Sequence, residues 1–229
     1  IVIVVNAVTG APLSVLQENR YLTDVRTGAA GAVALDYTRH SSDTSIGFIG
    51  GGAIAVSMAR AAACLGPYQG YCFAHDGADE FCSNMTQELG LDFTVVDSSR
   101  ELCQATHTIF TQTPGATTVV ERDDLQSGTT IIASGSDQPT KQELPVNVLT
   151  SSKYIADLTS QTSKVGELRS ALEAGSMSVD DVYCELGDLV NGTVGRANDE
   201  EVIVVDLTGT GAQDAAVGQV AWNKLKGFV

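Results

Sequence analysis

The bend Gly50-Gly51-Gly52, set between an apolar run and an Ala-rich run, constrains this chain more than any other stretch. Before it, Ser45–Ile49 is short, apolar and without alternation, which predicts a strand buried on both faces. After it, the spacing of Ala53–Leu65 predicts a helix. Gly50-x-Gly52-x-x-Ala55 therefore fits G-x-G-x-x-G/A in the strand–turn–helix setting that gives an otherwise weak pattern its meaning. Gly50 permits a tight turn, Gly52 lets the backbone approach a pyrophosphate, and Ala55 lets helix and strand pack closely. Free N–H groups and the positive end of the helix dipole attract such an anion. The expected dinucleotide contacts are Gly50, Gly51, Gly52, Ala53 and Ile54.

An acid about 20 residues further on, after the next strand, completes a dinucleotide fingerprint. Gln69–Phe73 predicts that strand, and Ala74-His75-Asp76 follows it. Asp76 is placed to take ribose hydroxyls, and His75 to meet a 2′-phosphate. NAD is favoured and NADP stays open. The plain alternative for Asp76 is a solvated loop or helix cap.

Strands and helices alternate along the rest of the chain. Ile1–Val5 and Pro12–Leu16 predict two opening strands. Thr23-Asp24 offers an N-cap for a helix over about Val25 to Thr38. Ala78–Leu89 predicts a helix, Phe93–Val96 a strand, and Arg100–Cys103 a helical turn. Thr108–Thr111, Thr129–Ala133, Tyr154–Ala156 and Val202–Val205 predict further strands. Helices are expected near Lys164–Ala174, Val179–Tyr183 and Gly211–Lys224. This pattern predicts an α/β, Rossmann-type doubly wound parallel sheet.

Composition narrows the function classes. A net charge of −15 with only 13 Lys and Arg argues against a nucleic-acid partner. No apolar stretch approaches the roughly 20 residues of a spanning helix, so no membrane partner is expected. Five scattered Cys without a CxxC fit reduced thiols in the cytoplasm, and Cys72 sits in a core-like run. The three His show no ligand spacing, and no metal site is expected.

Further segments exceed what a generic dinucleotide domain requires. They are Leu22–Ala30, Gly135–Leu144, Glu185-Leu186-Gly187-Asp188, Gly195-Arg196 and Val205–Asp214. In this order around the Gly-rich bend, they resemble the ornithine cyclodeaminase/mu-crystallin family over essentially the whole chain. The resemblance implies roles. Arg26, in Arg26-Thr27-Gly28-Ala29, would bind a substrate carboxylate, for which a bidentate guanidinium is suited, and Thr27 would lie near the pyrophosphate. Asp137 would handle the substrate's amine and its proton beside the cofactor. Thr111 and Thr113 would flank the nicotinamide ribose, and Thr208 and Gly209 would hold the carboxamide side. Lys141 and Glu143 are read as stabilising their own loop. The plain alternatives are an ion pair for Arg26, a turn-forming Asp137 before Pro139, and strand-end caps elsewhere.

The sequence departs from the family pattern at Thr140, where a glycine is usual, and at Ile54, where a polar residue is common. Family members also carry a further N-terminal segment of roughly one hundred residues. It forms most of a substrate and dimerisation domain and supplies an additional arginine and lysine. The chain lacks an initiator Met and is expected to be a piece of a longer protein. The expected division is 1–27 as a remnant of that domain, 28–207 as the NAD(P)-binding domain, and 208–229 as a C-terminal helix returning towards the first part.

The resemblance implies hydride transfer at the α-carbon of a small amino acid, with ornithine converted to proline and ammonia favoured. A ketimine reductase or alanine dehydrogenase on the same scaffold is the nearest alternative. A non-catalytic, crystallin-like dinucleotide-binding protein is another. The implied partners are a small amino acid or cyclic imine, and a second copy of the full-length chain in a homodimer.

Overall fold

A strand with neighbours on both sides and helices over both faces has no polar face, and its side chains must be apolar throughout. The central segments of this chain satisfy that demand. Phe48, Ile109, Phe110, Ile131, Ile132, Ile155, Ile203 and Val204 are wholly buried. The computed structural model describes residues 1–115 and 117–227.

Strands β1 (Val2–Val5) and β2 (Pro12–Leu16) precede helix α1 (Tyr21–Thr38). There follow β3 (Ser45–Ile49), α2 (Ala53–Ala63), β4 (Gln69–Phe73), α3 (Ala78–Leu89), β5 (Phe93–Val95), α4 (Ser99–Ala105) and β6 (Thr108–Thr111). Next come β7 (Thr130–Ala133), α5 (Val146–Thr150), β8 (Lys153–Ala156), α6 (Thr159–Thr162) and α7 (Leu168–Glu173). The chain continues through β9 (Cys184–Glu185), α8 (Leu186–Val190), β10 (Ile203–Asp206) and α9 (Gly211–Leu225).

Strands β3 to β10 form one sheet in the order β5-β4-β3-β6-β7-β10-β8-β9, and every pairing is parallel. Strand order reverses between β3 and β6, so their connections leave in opposite directions and open a crevice at the carboxyl ends. Neighbouring residues on each strand feed opposite faces. Phe48, Phe110 and Ile132 pack with α1, α2 and α3, while Ile49, Ile109 and Ile131 pack with α4, α5 and α7. The sheet is thus doubly wound, as the alternation of elements predicts.

Three helix expectations need correction. Helix α1 starts at Tyr21 rather than Val25, because the Glu18 carboxylate accepts the Leu22 N–H at 2.9 Å and caps the earlier turn. The helix expected over Lys164–Ala174 is confined to α7. Asp206 accepts the Glu167 and Leu168 N–H groups and fixes its start. Val179–Tyr183 is only a 3-10 turn over Val179–Asp181, closed by a reciprocal Ser178–Asp181 capping box. Helices α5, α6 and α8 and strand β9 were not foreseen; each has five residues or fewer.

The pair β1–β2 is antiparallel and separate from the main sheet. Val2 and Val4 face Gly218 of α9, and Ile3, Val5, Leu13 and Val15 are exposed. The division expected between residues 27 and 28 falls inside α1, which runs unbroken across it.

Candidate dinucleotide and substrate site

Connections from several strands meet at the carboxyl edge of the sheet, where ligands of open parallel sheets bind. They follow β3 (Gly50–Gly52), β4 (Ala74–Gly77), β6 (Gln112–Thr113), β7 (Ser134–Lys141) and β10 (Leu207–Thr210). The Gly-rich bend is tightly supported. Gly50 has φ +101°, and its N–H donates to the Phe73 carbonyl at 2.8 Å. The Gln112 N–H donates to Ile49 O at 3.1 Å, and its side-chain Nε2 reaches Ile49 O at 3.0 Å and Gly50 O at 2.7 Å. Gln112 is therefore the prop of the bend, a role the sequence reading missed.

Gly52 opens α2 without a side-chain cap, and a Cβ there would meet nothing within 4 Å. The first helical N–H bond to Gly52 O comes from Val56 at 3.1 Å, so the amides of Ala53, Ile54 and Ala55 face outward without an acceptor in the helix. Gly52 and Ala53 are exposed and Ala55 is buried under them. Beside the bend, Thr113 Oγ1 and Gln112 Oε1 are buried with no hydrogen-bond partner among the described residues. An open cradle of amides with orphaned polar atoms at its edge fits a dinucleotide phosphate.

His75 and Asp76 are exposed in the loop after β4. That loop touches the bend, since a Cβ on Gly51 would lie 3.2 Å from the Gly77 carbonyl. The ribose-side residues are thus adjacent to the phosphate-side turn.

Two threonines of the expected cofactor set have hydroxyls engaged within the fold. Thr111 is wholly buried and its hydroxyl donates to Glu143 at 2.7 Å, so it supports the site without facing it. The Thr27 hydroxyl donates to the Thr23 carbonyl at 2.9 Å, as Thr does within a helix, and is occupied there. Neighbouring Gly28 lets α1 cross α2 closely, because a Cβ would overlap the Ser57 carbonyl.

Asp137 is exposed, and its Oδ1 accepts from Lys141 Nζ at 2.8 Å. Its Oδ2 has no hydrogen bond among the described residues. Ser136 Oγ donates to Lys141 O at 2.8 Å and Lys141 N–H to Gln138 O at 3.1 Å, which closes the loop. Thr140 takes the family's glycine position there without a positive φ.

Arg26 lies across α9 and the β10 loop. Its Nε donates to Asp214 at 3.1 Å and its Nη1 to Gln213 at 3.3 Å, with Nη2 carrying no bond among the described residues. The guanidinium rests where a Gly209 side chain would be. A cavity of about 600 Å³ opens beside it, bordered also by Asp157, Gly187, Thr210 and Val217. The Gly209 N–H, expected on the carboxamide side, donates to Asp157 at 2.7 Å, and Thr208 Oγ1 donates to the same carboxylate at 2.9 Å. Burial holds the Asp157 carboxyl above its usual range. Asp157 was missed although it directly follows a predicted strand, at the carboxyl edge where function gathers.

The model of the ornithine cyclodeaminase/mu-crystallin family matches residues 1–227. The chain belongs to that family. The alanine dehydrogenase of Archaeoglobus fulgidus is 33% identical over 219 residues, covering 94% of this chain and 67% of that protein. A solved archaeal alanine dehydrogenase dimer with bound NAD superposes with a TM-score of 0.92 at 32% identity, covering 99% of this chain and 71% of the other. The iminosuccinate reductase of Paracoccus denitrificans in complex with NAD+ gives a TM-score of 0.90 at 30% identity, covering 98% and 70%. Over nearly its whole length, this cyclodeaminase-family chain thus shares the fold of about seven-tenths of each of those solved relatives.

Proposed function

We propose that this chain binds NAD, with NADP open, on the Gly50–Ala55 bend and transfers hydride at the α-carbon of a small amino or cyclic imino acid. The observation that carries the reading is the bend itself, an uncapped helix start with free amides at the switch point of the sheet. The two NAD-bound relatives support it.

Gly50, Gly51, Gly52, Ala53 and Ile54 would hold the pyrophosphate. Asp76 would hold the adenosine ribose, with His75 beside it for a 2′-phosphate. Thr113 Oγ1, buried and unpartnered among the described residues, would serve the nicotinamide side together with Thr208 and Gly209. When bound, the nicotinamide supplies a two-electron acceptor or donor at the α-carbon. Arg26 would fix the substrate carboxylate through its unengaged Nη2. Asp137 Oδ2 would accept a proton from the amine as nitrogen and α-carbon form a double bond, and return it in the reverse direction. In the favoured form the side-chain amine of ornithine then adds to that carbon, ammonia leaves, and proline results after reduction. The relatives equally fit amino-acid dehydrogenation and imine reduction without ring closure.

We also propose that residues 1–27 and 208–229 belong with the substrate and dimerisation part, and 28–207 with the dinucleotide part. Contact of α9 with β1 supports the pairing of the two ends. A homodimer is the expected assembly.

The test is NADH fluorescence with the purified protein, followed by assays with 1-pyrroline-2-carboxylate, pyruvate plus ammonia, and ornithine with NAD. Binding of NADH and turnover of at least one substrate is expected. Ammonia release from ornithine selects the cyclodeaminase form; imine reduction without it selects the reductase. No binding of either nicotinamide overturns the reading.

A further inference from the structure

The Glu143 carboxylate is wholly buried, and among the described residues none of its bonding partners is a cation. Three donors converge on it. Oε2 accepts from Thr111 Oγ1 at 2.7 Å and from the Gly135 N–H at 2.9 Å, and Oε1 accepts from the Thr113 N–H at 2.5 Å. Thr111 ends β6, Thr113 follows it, and Gly135 follows β7, so the donors belong to two neighbouring chain segments. The ladder of β6 with β7 ends at the pair Thr111 and Ala133. Past that pair the Ser134 N–H still donates to the Thr111 carbonyl at 2.9 Å, and then the two chains part, one to Gln112 and Thr113 beside the Gly-rich bend, the other to Gly135 and Asp137. Glu143 spans the gap where backbone pairing stops. A Cβ on Gly135 would overlap its carboxylate, so the absent side chain there is what lets the bridge form.

The bridge is itself anchored. The Glu143 and Leu144 N–H groups donate to the two oxygens of Glu167 at 2.9 and 3.0 Å, and the Glu143 carbonyl accepts the Val119 N–H at 2.8 Å. Burying a carboxylate without a cation is costly unless its oxygens are fully used, and here they serve three donors. The arrangement does more than close the Gly135–Leu144 loop, because two of the three donors lie on β6 and its extension.

We infer that Glu143 is a positioning residue that sets the spacing between Thr113, on the dinucleotide side, and Asp137, on the amine side. The inference rests on the function proposed above. Chemistry dictates an acid at this place. All three partners donate, and an amide would turn its own Nε2 donor against one of the two backbone N–H groups. One strand end is then released while the other stays held.

The test compares Glu143→Gln and Thr111→Val with the wild type. NADH affinity is read by fluorescence, turnover of 1-pyrroline-2-carboxylate as kcat and KM, and folding by circular dichroism melting. For Glu143→Gln the expected result is a tenfold or greater rise in NADH Kd and a fall in kcat at saturating NADH. Substrate KM should stay within about twofold, because Arg26 is untouched, and the protein should remain folded at the assay temperature. Thr111→Val removes one bond and no acceptor, so a smaller change in the same direction is expected; it serves alone where Glu143→Gln does not fold. Unchanged Kd and kcat overturn the inference, as does a loss of activity that merely tracks the unfolded fraction. Gly52→Val separates the two claims, since a side chain there enters only the open space of the bend. If Gly52→Val binds NADH as the wild type does, the site reading fails; if it does not bind while Glu143→Gln behaves normally, only the role of Glu143 fails.

Discussion

The Gly50 α-hydrogen lies where any other residue would carry a methyl group 2.9 Å from the Gln112 carbonyl, at a φ of +101°. Both the conformation and the space exclude a side chain. Gly50→Ala should destabilise the fold by about 1–3 kcal/mol and weaken NADH binding, since the bend cannot keep its shape. Denaturant unfolding and NADH fluorescence on the same samples check this, and an unaffected affinity would contradict the placement of the phosphate. At Arg26 the decisive property is the planar fork rather than the charge. It gives two donors to Gln213 and Asp214 and keeps Nη2 in reserve. Lysine has one compact ammonium and cannot serve all three directions. Arg26→Lys should therefore raise KM for the carboxylate substrate roughly tenfold to a hundredfold, the loss of a charge-assisted hydrogen bond of about 1.5–3 kcal/mol. Steady-state kinetics with 1-pyrroline-2-carboxylate reads it, and a KM equal to that of the wild type would move the carboxylate away from Arg26.

Helices α1 and α2 cross so closely that Gly28 touches the Ser57 backbone and Gly31 the Met58 side chain. That crossing fixes Arg26, two residues before Gly28 on α1, relative to the Gly-rich bend at the start of α2. Gly28→Val should separate the helices, with a cost of about 1–3 kcal/mol or more, and should weaken both NADH and substrate together. Equal melting temperatures for the variant and the wild type would show that the crossing is looser than the distances imply. Elements with a strong signal were legible in the sequence for the same physical reason that they hold the fold. Ser45–Ile49, Gln69–Phe73 and Ala78–Leu89 match the structure residue for residue, because apolar runs and helical spacing declare burial directly. Elements fixed by distant side chains were not legible. The start of α7 depends on the Asp206 carboxylate, and the start of α1 on Glu18. The site divides likewise. The bend announced itself through its glycines. Gln112, Asp157 and the bridging Glu143 act through contacts between segments far apart in sequence, and no local pattern encodes those.

Across the molecule, four acids line the carboxyl edge of β7, β10 and β8 with no salt-bridge partner among the described residues. Glu143 donates its N–H to Glu167, Glu167 donates its own to Asp206, and Asp157 donates to the Asp206 carbonyl. Tyr154 gives its hydroxyl to Asp206 as well. Burial is the leading cause that holds all four carboxyl groups above the ordinary range, with Asp206 also raising Glu167. A carboxyl whose folded pKa exceeds its unfolded value of about 4 is bound to its proton more tightly in the folded state. Its contribution to stability is full below that unfolded value and is lost as pH rises through the folded one. The melting temperature should therefore fall as pH is raised from mildly acidic to neutral and beyond, opposite to the trend of a protein held by paired carboxylates. The net charge of −15 pushes the same way through surface repulsion, but that part is screened by salt and the buried part is not. Melting curves at low salt and at about 0.5 M salt separate the two. Glu167→Gln supplies the control. The amide offsets stability at every pH by leaving one N–H of Glu143 or Leu144 without an acceptor, yet it removes one titrating group. Its stability should thus lose up to about 1.4 kcal/mol less per pH unit across the window, even in high salt. A variant that melts with the same pH slope as the wild type in high salt would show that Glu167 does not titrate between the folded and unfolded states.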